Sequence, residues 1–281
     1  MMFGYGYDAG YCLGNMTLAL DLPESEALNW HKIARLDSVM HTLNNLWEVD
    51  TPDLYGAGSE PDHIIGNSNF AYMGMSMFPD EWAQSQGERW LSKNGKSDSL
   101  FDSIPLASSS PRDWDKIPNK NFMHTPDTNW WMIRGLYVHN VNKIANDALL
   151  GHLKTYNMEW GIPIAPEGRR ADGSAFGDQY SNFNAGKIIL LIEGTAGLSY
   201  SVVNNTFTHA DTIPDEWSFM EWYVPINAAN MTETEWVHTR VTREETNHVV
   251  SKTIEVENEY FENVILHPWT EDATMVMTRE W

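Results

Sequence analysis

The charged side chains Glu167, Arg169, Arg170, Asp172 and Asp178 fall within a polar, glycine-rich stretch from Glu159 to Asn182. A carboxylate held beside guanidinium groups stays ionised, which is the state a general base requires. Arg169 and Arg170 are the groups expected to keep Glu167 charged in this way. Gly168, Gly173 and Gly177 allow the chain to fold back tightly around it, and Tyr180 follows at the end of the stretch. Next comes an apolar segment, Ala185 to Leu198, with the run Ile188 to Ile192. It is expected to anchor the polar loop in the core and hold Glu167 in place. The plainer reading is a surface loop in which Glu167 pairs with Arg169 or Arg170.

Arg134 is the other cation of interest. It lies in Trp130 to Leu136, on a helix that otherwise reads as buried. A buried guanidinium needs a carboxylate partner, so Arg134 either clamps a structural Asp or binds substrate with Trp130 and Trp131. His31, His41, His63, His124, His139 and His152 do not follow metal-ligand spacing. The sequence has no phosphate-cradling glycine loop and no Gly-x-Ser-x-Gly elbow. No cofactor and no metal is called for.

The totals narrow the classes. With 281 residues and 42% hydrophobic residues, the chain can build a sizeable core. A formal net charge of -21 argues against nucleic acid and anionic membrane surfaces. Cys12 is the only cysteine, which excludes an intrachain disulfide and a cysteine-based metal site. No apolar segment has the length of a bilayer span. The first residues lack the basic and apolar regions of a signal peptide, and their aromatic, glycine-rich character reads like the middle of a domain. Sequons at Asn15, Asn204 and Asn230 favour a secreted location and glycosylation there. Thirteen Trp and eleven Tyr raise the expectation of a carbohydrate ligand, because aromatic faces stack on sugar rings.

Periodicity supplies the elements. A short buried helix is expected over Asp8 to Leu20. A second is expected over Glu24 to Trp47, with Trp30, Ile33, Val39 or Met40, Leu43 and Trp47 on one face. Pro79-Asp80-Glu81 starts a helix reaching Leu91. Ser92 to Asn121 reads as a long loop contributing Trp114 or Phe122 to a groove. Thr125 to Asp127 starts a helix running to Leu153. After Pro214 the pattern shortens to two residues, giving strands over 217–226, 235–244, 249–257 and 260–267, with a turn at Glu244 to Asn247. The fold expected is mainly α, a helical body over 1–213 followed by an antiparallel β region over 214–281.

The order of elements carries a resemblance. Long-looped helices, then PEGRRADGSAFGDQYSNFNAGKIILLIEGTAGL, then TIPDEWSFMEWYVPI, resemble the C-terminal part of an (α/α)-barrel glycoside hydrolase, as in trehalases and processing α-glucosidases. Glu167, the spacer from Gly173 to Gly177, Tyr180 with Phe183 and the element from Ala185 match the late-barrel pattern of those families. Asn182-Phe183-Asn184 stands where they often carry Trp. The resemblance implies an (α/α)-barrel-like body, whole or partial, and hydrolysis of glycosidic bonds with inversion by two carboxyl groups. Glu167 would activate water. The proton donor would come from Asp8, Glu60, Asp127 or Asp178; Asp8 lies in a stretch similar to the Trp-Asp-aromatic segment of these barrels. Trp130, Trp131, Arg134, Arg169 and Tyr180 would bind sugar.

Two other readings compete. A polysaccharide lyase would use Arg169 and Arg170 to neutralise a uronate and Tyr180 to take a proton. A non-catalytic module would bind carbohydrate without turning it over. The expected partners are a carbohydrate ligand and either a further chain segment or a second copy.

Overall fold

The computed structural model describes residues 2–34, 36–48, 53–54, 70–74, 78–93, 99–101, 126–157, 165–169, 174–180, 186–201, 206–210, 212–214, 216–227, 234–246, 249–257 and 274–278. The chain is mainly α, a helical body followed by antiparallel strands. It divides into two compact units, Met1–Leu191 and Ile192–Trp281. The sequence reading placed the change after 213. The strands Leu198–Ser201 (β5) and Thr206–Ala210 (β6), which it assigned to the helical body, pair with each other, and β6 also pairs with the later strand Thr274–Thr278 (β10).

The first unit begins with α1 (Met2–Ala19), α2 (Glu24–Ala34) and α3 (Leu36–Leu46). The helix α1 is longer than expected and does not bury its apolar side. Gly10, Gly14 and Thr17 face inward, while Tyr11, Leu13, Met16 and Leu18 are exposed. The cause is the close approach of α2. A Cβ at Gly10 would lie 3.0 Å from the Trp30 carbonyl oxygen and 3.1 Å from the Ala34 nitrogen, and at Gly14 the His31 ring fills the space. The helix expected over Glu24 to Trp47 is two helices, and Trp47 begins a short strand, β1 (Trp47–Glu48), paired antiparallel with β2 (Asp53–Leu54). In α2 the buried residues are Ala27 and Ala34, whereas Ile33, assigned to the inner face, is exposed.

Pro79 and the acids Asp80 and Glu81 start α4 (Asp80–Gln86) as read, with carboxylates at the positive helix end. A wider π turn, Gly87–Leu91, continues it. The Trp90 carbonyl accepts from the Leu100 backbone and the Ser99 hydroxyl, both at 2.8 Å, which fastens the returning chain. The helix expected from Thr125 to Leu153 is interrupted. It forms α5 (Pro126–Val138) and α6 (Asn142–Asn157), separated by Asn140 at φ 58°. Val141 N–H returns to the Leu136 carbonyl at 2.7 Å and Asn140 N–H to Tyr137 at 3.1 Å, a left-handed helix stop. The core gathers here: Phe70, Met73, Phe78, Trp90, Leu91, Met132, Leu136, Ala145, Ala148, Leu149 and Leu190 pack together.

The Glu159–Asn182 stretch, read as loop, contains a hairpin of β3 (Ala165–Arg169) and β4 (Ala175–Tyr180). The run from Ile188 to Ile192 is helical, passing into a π turn over Leu190–Thr195. It is not uniformly buried. Ile188 and Ile189 are exposed, while Lys187 and Leu190 turn inward, because helical geometry sends consecutive side chains in different directions.

In the second unit, β5 and β6 form one sheet with β10. The strands β7 (Phe219–Asn227), β8 (Thr234–Thr246) and β9 (Val249–Glu257) form an antiparallel meander. Glu244, Glu245 and Thr246, expected in a turn, are paired residues of β8. The strand expected over 260–267 lies outside the described residues.

Candidate functional site

The hairpin is built around an irregular step. Pro166 pairs with Gln179 and Gly168 with Phe176, so Glu167 alone on β3 opposes Gly177 and Asp178 on β4. This is a β-bulge, one residue against two. Gly177 sits at φ 75°, a conformation glycine adopts freely. Adjacent strands run about 5 Å apart. The bulge therefore brings the backbones of Glu167 and Asp178, two of the sequence-assigned carboxylates, to the same rung. Bulges bend a strand and re-aim its side chains, and they are frequent beside active sites.

The same hairpin carries further assigned residues. Tyr180 pairs with Ala165 at one end, and Arg169 with Ala175 at the other. Strand β3 packs against both α5 and α6, and Gly168 is buried. The carboxylate rung is thus mounted on the helices of the core and not on a free surface loop.

On α5, the residues Trp130, Trp131 and Arg134 lie together. The two indoles meet edge to face at 4.4 Å, and the Arg134 guanidinium lies 5.9 Å from the Trp130 ring centre. Both polar tips engage backbone. Trp130 Nε1 donates to the Gly186 carbonyl at 3.0 Å, and Arg134 Nη1 donates to the Gly74 carbonyl at 2.6 Å. The expected structural partner of Arg134 was an Asp; the observed acceptor is a peptide carbonyl. Trp130 thereby ties α5 to the start of the helix that follows the hairpin.

Asp8 lies on α1, whose packing partners are α2 and α3. Asn15 is exposed on α1. Glu60, Trp114, Phe122, Arg170, Asp172, Phe183, Asn204 and Asn230 lie outside the described residues, as does most of the long Ser92–Asn121 loop.

Sequence reasoning missed a buried polar contact. His139 Nδ1 meets Asp80 Oδ1 at 2.6 Å and its Nε2 meets the Met73 carbonyl oxygen at 3.0 Å. The residues lie 59 and 66 positions from His139, and no local pattern marks them.

A scan against protein-family models matches none, and no curated protein matches the sequence. Among solved structures, the chain is similar to one described as "Sialidase", with a TM-score of 0.68 and 12% identity over 91% of this chain. The match covers 24% of that protein, so the chain spans about a quarter of its length. The likeness is one of fold.

Proposed function

We propose that the chain is carbohydrate-active and hydrolyses glycosidic bonds at the β3–β4 hairpin, with Glu167 as general base and Asp178 as general acid. The observation that carries this reading is the bulge that sets Glu167 against Gly177–Asp178. The fold likeness to part of a protein named a sialidase supports the substrate class, as does the tryptophan- and tyrosine-rich composition.

In this reading Glu167 takes a proton from water as the water oxygen bonds to the anomeric carbon. The bond to the leaving oxygen breaks as Asp178 supplies that oxygen with a proton. Such a pair leaves room for water when its carboxyls stand about 6.5–9.5 Å apart, and the anomeric centre then inverts. Asp178 is preferred to Asp8 because it shares the hairpin with Glu167. Arg169 holds the base ionised, and Tyr180 and the exposed edges of Trp130 and Trp131 contact sugar.

The test is turnover on a panel of neutral glycosides by the intact chain and by Glu167→Gln. The variant keeps the volume and loses the charge, so folding should survive while kcat falls by about 10²-fold or more. Proton NMR of the fresh product should show the inverted anomer. Retention would make Glu167 a nucleophile. Full activity in Glu167→Gln would remove it from the chemistry, and turnover of uronate polymers alone would favour the lyase.

A further inference from the structure

We propose that one face of the β7–β8–β9 sheet binds a neutral oligosaccharide, through residues other than the hairpin carboxylates. The proposal shares with the hairpin reading only the class of ligand, carbohydrate.

Alternation along β7 puts Phe219, Glu221 and Tyr223 on one face. Their partners across β8 are Thr242, Arg240 and His238. The intervening residues turn the other way: Trp222 and Val241 are buried at 9% and 2% exposure. The first face is open, with Phe219 at 53% and Tyr223 at 60% exposed. One side of the sheet is core, and the other presents large aromatic rings to water.

Each ring is oriented by a polar neighbour. The His238 ring stacks on Tyr223 at 4.4 Å with an 8° interplanar angle. His238 Nε2 also donates to Glu221 Oε1 at 2.6 Å, which fixes the imidazole against the phenol. The Arg240 guanidinium lies 5.6 Å from the Phe219 ring centre. The sequence along the face is therefore ring, carboxylate, ring, with a guanidinium and an imidazole beside them. A saccharide presents apolar C–H faces that stack on rings, and hydroxyls that both donate and accept. Glu221 supplies the acceptor and Arg240 the donor between the two platforms.

The spacing and charge select among ligands. Phe219 and Tyr223 are four residues apart, about 13 Å along the strand. That exceeds one sugar ring, so a chain of several sugars fits and a monosaccharide does not. The register also places Glu255 and Glu257 of β9 opposite Arg240 and His238, and the chain as a whole is acidic, which disfavours an acidic ligand and suits a neutral one. Single-stranded nucleic acid also stacks on aromatic rings, but it needs a basic groove; this chain carries -21.

Isothermal titration of the intact Glu167→Gln chain with xylohexaose, cellohexaose and maltohexaose tests the proposal, with glucose and xylose as single-ring probes. At least one hexasaccharide should bind and neither monosaccharide should. Phe219→Ala and Tyr223→Ala should each weaken binding about tenfold, on the scale of a lost aromatic contact. Tyr223→Leu, which keeps apolar bulk without a ring, should behave as Tyr223→Ala does, and the urea midpoint of each variant reports folding. Absence of hexasaccharide binding, or binding equal in all the aromatic variants, overturns the proposal. So does a proline-rich peptide that binds here in place of sugar. Turnover by the wild type without this binding would leave the hairpin reading intact; binding without turnover would remove the hairpin reading alone.

Discussion

Gly135 shows how one side chain decides a packing. Replacing a glycine inside a helix by alanine ordinarily stabilises by about 0.5–1 kcal/mol, because the unfolded chain loses freedom. At Gly135 a Cβ would stand 2.5 Å from the Met73 carbonyl carbon and 2.7 Å from its oxygen. Those are backbone atoms of the 3-10 turn Ala71–Gly74, which lies directly on α5. The turn cannot rotate away as a side-chain tip would. It also supplies the carbonyls that meet Arg134 and His139. Gly135→Ala is therefore expected to destabilise, by about 1–3 kcal/mol, the scale of forced backbone shifts in a packed interior. Urea denaturation gives the value, and a stabilised Gly135→Ala would mean the turn yields at little cost.

At the scale of elements, helix stops carry the next prediction. The helix α1 ends in a left-handed stop at Asp21, φ 53°, with Leu22 N–H returning to the Thr17 carbonyl at 3.1 Å. A side chain in that conformation is strained, and a carboxylate at a helix C-terminus meets the negative end of the dipole. Asp21→Gly relieves both and should raise stability by about 1 kcal/mol. Asp21→Asn removes only the charge and should give the smaller part. A thermal midpoint lower for Asp21→Gly than for the parent would contradict the argument. Such stops also explain where the sequence was illegible. The break between α5 and α6 is marked by Asn140, with neither glycine nor proline to announce it, so one helix was read where there are two. The strands β7 to β9 were legible because aromatic and β-branched residues alternate there. The β3–β4 hairpin was not, since APEGR and AFGDQY lack that pattern. Glu167 stood out by its charge and glycine setting. Its juxtaposition with Gly177 and Asp178 depends on a pairing register, which no local signal encodes. The helix expected to be buried over Asp8 to Leu20 exposes its larger apolar residues for a related reason: close helix approach favours Gly10 and Gly14 over larger apolar neighbours.

For the whole molecule the governing quantity is charge. A net -21 over 281 residues means that folding brings like charges together. Repulsion is stronger in the compact state than in the expanded chain, so it subtracts from stability. Salt screens it, over a Debye length of about 30 Å at 0.01 M and about 10 Å at 0.1 M. Screening also weakens attraction between opposite charges. Exposed pairs contribute about 0–1 kcal/mol each, and acids outnumber Lys and Arg by 39 to 18. The repulsive sum should win. The thermal midpoint is therefore expected to rise with sodium chloride from about 0.01 M to about 0.1 M, where the Debye length contracts most, and to level off above that. Scanning calorimetry across that series checks the sign. A midpoint that falls with added salt would show that paired charges dominate the field despite the acidic excess.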